Sequence, residues 1–146
     1  MTSNFTELFN RDLDKLKVEI ESFQNPENIW RKVGNIKNSA GTLCLHLAGN
    51  LQHFIGTVLG ETGYVRDREF EFSGRPVDIQ RLLSEIESAR KVINQVLPSL
   101  TQERLSQPFP IDVLKDGSSV EKFVMHLYGH LNWHLGHIYY LRRILE

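Results

Sequence analysis

Hydrophobic positions along the chain recur at three-and-four spacing, and no segment alternates apolar and polar residues for more than a few positions. The first periodic stretch runs from about Thr6 to Phe23 and sets Leu8, Phe9, Leu13, Leu16, Ile20 and Phe23 on one face. Asn25-Pro26 then breaks the pattern. A second helix is predicted from about Asn38 to Leu59. The third is predicted to begin after Pro76 with Asp78 as its N-cap. It carries Ile79, Leu82, Leu83, Ile86, Ala89, Val92, Ile93, Val96 and Leu97 to a stop at Pro98. The fourth is expected to open at Ser118, with Glu121 three residues on as a capping box. Arg142 and Arg143 close it against the negative helix end.

Two connections are too long for tight turns. One is ETGYVRDREFEFSGRPV, between the second and third helices. The other is PSLTQERLSQPFPIDVLKDGS, between the third and fourth, where Pro108, Pro110 and Asp116-Gly117 mark irregular structure or a small hairpin. The expected architecture is all-α, a four-helix bundle with long 2–3 and 3–4 connections, in one domain over residues 1–146.

Composition narrows the function. The chain is 40% hydrophobic and 24% charged with a formal net charge of −1. Basic residues are scattered, which argues against a nucleic-acid partner. The single cysteine, Cys44, cannot form an intramolecular disulfide, and the amphipathic N-terminus lacks the apolar run of a signal peptide. These features lead us to expect a cytoplasmic protein without a membrane span.

The histidines change the picture most. Four of the six, His126, His130, His134 and His137, fall within HLYGHLNWHLGHIYYLRR. On a helical wheel they occupy an arc of about 80°, shared with Phe123, Leu141 and Ile144. Tyr128, Asn132, Tyr139, Arg142 and Arg143 lie opposite. The wheel therefore predicts histidines on the core-facing side. Several buried imidazoles stacked on one face are costly without partners, and a divalent cation that accepts their lone pairs removes the cost. His130 and His134, one turn apart, have the spacing to reach one ion. His126 and His137 are about 16 Å apart along the axis, so all four cannot.

A further ligand is expected from a facing helix. The stretch NSAGTLCLHLAGNLQHFIGTVLG, residues 38–60, contains no Lys, Arg, Asp or Glu, as a central buried helix would. Its His46, Asn50, His53 and Thr57 form a polar stripe within an arc of about 60°. That stripe is either a narrow solvent face or the surface that meets the histidines of the last helix, and the absence of charge favours the second.

HLAGNLQHFIG followed far downstream by HLNWHLGHIYYLRR resembles the DinB-like superfamily, also called YfiT-like metal-dependent hydrolases, over nearly the whole chain. The resemblance implies a four-helix bundle with a three-histidine divalent-metal site, nickel or zinc being usual, and homodimers are common among its members. Relatives of this kind include bacillithiol-linked S-transferases and a mycothiol-dependent isomerase. Carried across by motif, the ligands are His46, His130 and His134. The family motif continues Gly-Gln-Ile where this chain has Gly136-His137-Ile138, so His137 remains open as an alternative ligand, a supporting group or a core residue. His53 is a second open candidate.

No carboxylate accompanies the histidines in the manner of an H-E-x-x-H base. Glu61, Asp67 and Glu69 are placed to fold over a site mouth, or else to be solvated. Asn50 is a candidate partner for a ligand. Cys44, Trp30 and Trp133 read as packing, and Tyr128, Tyr139 and Tyr140 as surface or interface aromatics. Two functions follow. One is a metal-dependent transferase or hydrolase acting on a small molecule, with a low-molecular-weight thiol as possible co-substrate. The other is a non-catalytic metal-binding or stress-response module.

Overall fold

A computed structural model describes residues 2–76 and 78–146. Val77, the last residue of the predicted 2–3 connection, lies outside them. Among the described residues all regular structure is helical apart from one isolated bridge, Pro108 to Ser119.

Helix α1 spans Thr2–Glu21, starting four residues before the expected position. It buries Phe9, Leu13, Leu16 and Ile20 at 4-3-4 spacing. Asn25 caps the 3-10 turn Pro26–Trp30 by accepting from the Glu27 N–H at 3.0 Å, so the Asn-Pro break falls where the sequence puts it. The turn lays Trp30 against Gly41, where a Cβ would collide with the indole. Helix α2, Ala40–Leu51, opens at Ser39, whose hydroxyl accepts from the Thr42 N–H. Every α2 residue is buried, which accounts for the lack of charge: an unpaired ion there would cost several kcal/mol. The helix widens into a π-helix over Gln52–Leu59.

The first long connection contains the short helix α3, Arg68–Ser73, capped by Asp67 through the Phe70 N–H. Helix α4, Ile79–Val96, opens at Asp78 and passes into the 3-10 turn Leu97–Ser99 at Pro98, both as expected. The second connection holds α5, Gln102–Ser106, and then pairs with the entry to the last helix. Phe109 N–H donates to Ser118 O and Val120 N–H to Gln107 O, each at 2.8 Å. That pairing shifts the cap of α6, Val120–Leu145, by one residue. Ser119, not Ser118, accepts from the Lys122 N–H, while Ser118 bonds Asp116.

Helix α1 packs on α4 and α6, and α2 packs on α4, α3 and α6. Their apolar faces form one core, with Phe9, Leu47, Leu51, Ile86, Ile93 and Phe123 among its fully buried members. Polar ties flank it. Arg142 and Arg143 both bond Glu19 across the α1–α6 contact. Asp12, fully buried, accepts from Arg11 and from the Tyr128 hydroxyl. Burial opposes its charge, yet hydrogen bonds from Arg11, Tyr128 and Lys15 hold its carboxyl well below the usual range. No helix among the described residues is long and apolar enough to cross a membrane.

Candidate metal centre

The core face of α6 is its leucine-rich side, Phe123, Val124, Leu127, Leu131, Leu135, Ile138 and Leu141, all buried. On the wheel this face is centred roughly 100° from His126. The expectation that all four histidines face the core is therefore corrected. His130 and His134 sit half-buried at its border, while His126 and His137 are exposed, as is Ile144. The aliphatic residues outweigh the imidazoles in setting which way the helix turns, because burying a leucine contributes about 2 kcal/mol and a lone imidazole must still satisfy two nitrogens.

Helix α2 supplies the facing group. His46 is 7% exposed, and its ring lies 5.0 Å from that of His130 and 5.4 Å from that of His134. The His130 and His134 rings are 4.6 Å apart. One ring nitrogen from each of the three lies within 4.8 Å of the others, so the set can hold a metal ion. His53 is half-buried against Phe54, and neither it nor His126 or His137 belongs to this cluster. His137 instead touches it from behind, with Nδ1 3.4 Å from His134 Nδ1.

The protonation states suit a cation. Burial, and then the neighbouring His134 and His46, pushes His130 down to about 3; burial and His46 push His134 down to about 4. Both rings are neutral at pH 7 and keep a lone pair to donate. His46 Nε2 faces His130 Nε2 at 3.1 Å, and His46 Nδ1 lies 3.1 Å from Glu71 Oε1. A carboxylate can only accept, so the His46 proton belongs on Nδ1 and the Nε2 lone pair points at the cluster. The Arg66 guanidinium nitrogen 3.4 Å from Nδ1 does not change this assignment, because Arg66 donates through two nitrogens to Glu71 at 2.8 Å each.

Glu71 and Arg66 are parts of the candidate site that the sequence reading passes over. Glu71, on α3, is 3% exposed. Burial works against its charge, but hydrogen bonds from Arg66 and His46 hold its carboxyl below the usual range. The result is an Arg–Glu–His relay, the arrangement that fixes the tautomer and orientation of a metal-ligating imidazole. Gly49, just under one turn beyond His46, makes room for it: a Cβ there would run into the Glu71 carboxylate. The signal was indirect. A buried histidine on a chargeless helix needs a partner from outside that helix, and the charged stretch VRDREFEF is the next segment along.

The other candidates separate. Asp67 caps α3 and Glu69 is exposed. Glu61 is exposed in the left-handed region at φ 51°. The Cys44 thiol is pushed far up by burial and by Glu85, so it is not a nucleophile. Phe72, still 42% exposed, covers the His46 ring at 5.0 Å. Beside the cluster a pocket of about 340 Å³ is lined by Ile36, Lys37, Asn38, Leu43, His134 and His137. Two buried side-chain polar atoms lack partners among the described residues, Asn50 Oδ1 and His130 Nδ1.

Fold and site together define an all-helical protein with a three-histidine cluster capable of holding a metal ion. The chain belongs to the family described as "Protein of unknown function (DUF1572)", whose model matches residues 4–146. No curated protein and no solved structure matches it.

Proposed function

We propose that the protein is a DinB-like four-helix bundle that binds a divalent metal, nickel or zinc, through His46, His130 and His134, and acts as a metal-dependent transferase or hydrolase on a small molecule. The observation that carries the reading is the convergence of three neutral or acceptor-facing imidazole nitrogens within 4.8 Å. The Glu71 carboxylate behind His46 puts the proton on Nδ1 and so turns the Nε2 lone pair toward the other two imidazoles. The four-helix architecture of the proposal consists of α1, α2 with its π extension, α4 and α6.

Three protein ligands, with His53 and His137 outside the set, leave coordination positions open, which favours catalysis over a sealed storage or structural site. A divalent ion held this way supplies Lewis-acid chemistry and favours the thiolate form of a bound thiol. The chain's own residues do the rest. Arg66 and Glu71 hold the His46 proton on Nδ1. Phe72 limits water over His46, and the pocket beside His134 receives the small molecule, with Lys37 at its edge.

The test is elemental mass spectrometry on untagged, chelator-free protein beside His46→Ala, His130→Ala and His134→Ala. Near-stoichiometric metal in the parent and its loss in each variant supports the site, and a screen of thiol-transfer and hydrolytic substrates follows. If the parent carries no metal and added nickel or zinc leaves its melting temperature unchanged, the reading fails.

A further inference from the structure

His137 has no place in the ligand set and is nevertheless in contact with it. Its Nδ1 stands 3.4 Å from the Nδ1 of His134, with the ring centroids 5.5 Å apart. It does not belong to the group whose nitrogens can share one ion. Ligand nitrogens sit about 2.0–2.1 Å from a zinc ion and therefore close to one another. An imidazole that reaches only His134 can act on the ion only through His134.

Two imidazole nitrogens facing each other at this distance attract only when one proton lies between them. Two lone pairs repel, and two N–H groups leave both without an acceptor. The proton therefore belongs either to His134 or to His137. His46 and His130 face each other at 3.1 Å, and neither bonds His134. The contact with His137 is the one hydrogen bond that the His134 side chain makes among the described residues. If His137 donates, the His134 proton moves to Nε2 and that nitrogen has no lone pair to offer an ion. If His134 donates, Nε2 is free, and His137, being exposed, gives its own Nε2 proton to water.

We propose that His137 is a positioning residue for His134: its Nδ1 accepts the His134 Nδ1–H, which holds the ring in the tautomer that leaves Nε2 as the ligand nitrogen. The inference rests on the metal-binding reading above and gives a second ligand the service that Glu71 gives His46. The two supports differ in kind. Glu71 is a buried anion clamped by Arg66. His137 is an exposed ring braced by Trp133, edge-on at 5.1 Å. A neutral acceptor raises the basicity of a ligand less than an anionic one, so His134 is the ligand held less firmly. It is also the one that borders the pocket of about 340 Å³, which His137 itself lines.

The first arm of the test needs no metal. Long-range proton–nitrogen NMR on chelator-treated protein at about pH 8, where imidazoles are neutral, reads the tautomer of each ring. The resonance missing from His134→Gln assigns His134. It is expected in the Nδ1–H form in the parent and in His137→Gln, whose side-chain oxygen can accept the same proton. In His137→Leu it is expected to revert to Nε2–H, the form that a free histidine side chain favours in water. An Nε2–H form in the parent, or a tautomer unmoved by His137→Leu, would overturn the proposal.

The second arm is zinc affinity, read by competition with a chromophoric chelator. His137→Leu is expected to weaken binding about tenfold and His137→Gln to stay close to the parent. Circular dichroism and melting of the metal-free variants should match the parent, because position 137 is exposed. Equal loss in both variants, or no loss in either, overturns the positioning role while the metal site stands. A parent that takes up no zinc overturns the metal reading and the positioning role with it.

Discussion

At the scale of single residues, the three histidines are placed so that they could hold an ion, and the Arg–Glu pair behind His46 is placed to orient one of them. His130 and His134 were legible in the sequence because i and i+4 on a helix is a geometric statement. His46 was singled out by the family motif, since the polar stripe of the chargeless helix by itself left His53 equally open. Glu71 and Arg66 were not, because they sit in a charged, aperiodic stretch where nothing marks one carboxylate above Glu61, Asp67 or Glu69. Their role can be measured. Glu71→Gln and Gly49→Ala should each lower zinc or nickel affinity about 10–100-fold by loosening His46, without removing a ligand. Competition with a chromophoric chelator checks this, and unchanged affinity in both would show that the relay does not support His46. Gly49→Ala further separates sterics from charge, since it leaves the carboxylate present but displaced.

At the scale of elements, α1, α4 and α6 emerged from periodicity because each turns one apolar face to the core. Helix α2 emerged from its lack of charge. The helices α3 and α5, of six and five residues, are too short to show a period and were hidden in the connections. The α6 cap was missed by one residue because the local capping-box spacing to Glu121 favours Ser118 over Ser119. The choice between them is made by the Pro108–Ser119 bridge, a contact with a distant segment. Ser119→Ala should therefore cost about 1 kcal/mol of stability through loss of the cap, read in urea unfolding. A loss near zero would place the cap elsewhere.

At the scale of the whole molecule, the face assignment of α6 was the element of the site that sequence alone could not settle. A helix with apolar residues on two sides offers two readings of inside, and only packing against α1 and α2 decides. The two half-buried histidines should also contribute to the response of the metal-free protein to acid. His130 and His134 have folded-state values of about 3 and about 4, below the ordinary 6.5, so the unfolded chain takes up protons that the folded one refuses. They contribute no pH dependence above about 6.5, and stability falls as pH drops from there towards 4 and then 3. Melting of chelator-treated protein between pH 7.5 and 4.5 should show this decline, and His130→Gln/His134→Gln should flatten it. An equally steep decline in that variant would assign the acid response to other groups. Bound metal should act in the opposite direction, raising stability at pH 7 by about 2.7 kcal/mol at a hundredfold excess over Kd.

The contact between Gly49 and Glu71 carries a consequence for descent. Because a side chain at 49 and the carboxylate at 71 compete for one volume, the two positions cannot drift independently. A lineage that gains alanine at 49 first must displace the carboxylate before it can discard it, whereas one that loses the carboxylate first is free to fill the space. Across related chains, glycine at 49 should therefore persist wherever the Arg–Glu–His relay persists. It should give way to larger residues only in branches where the acid at 71 has already gone, leaving the order of those two losses recorded in the sequences.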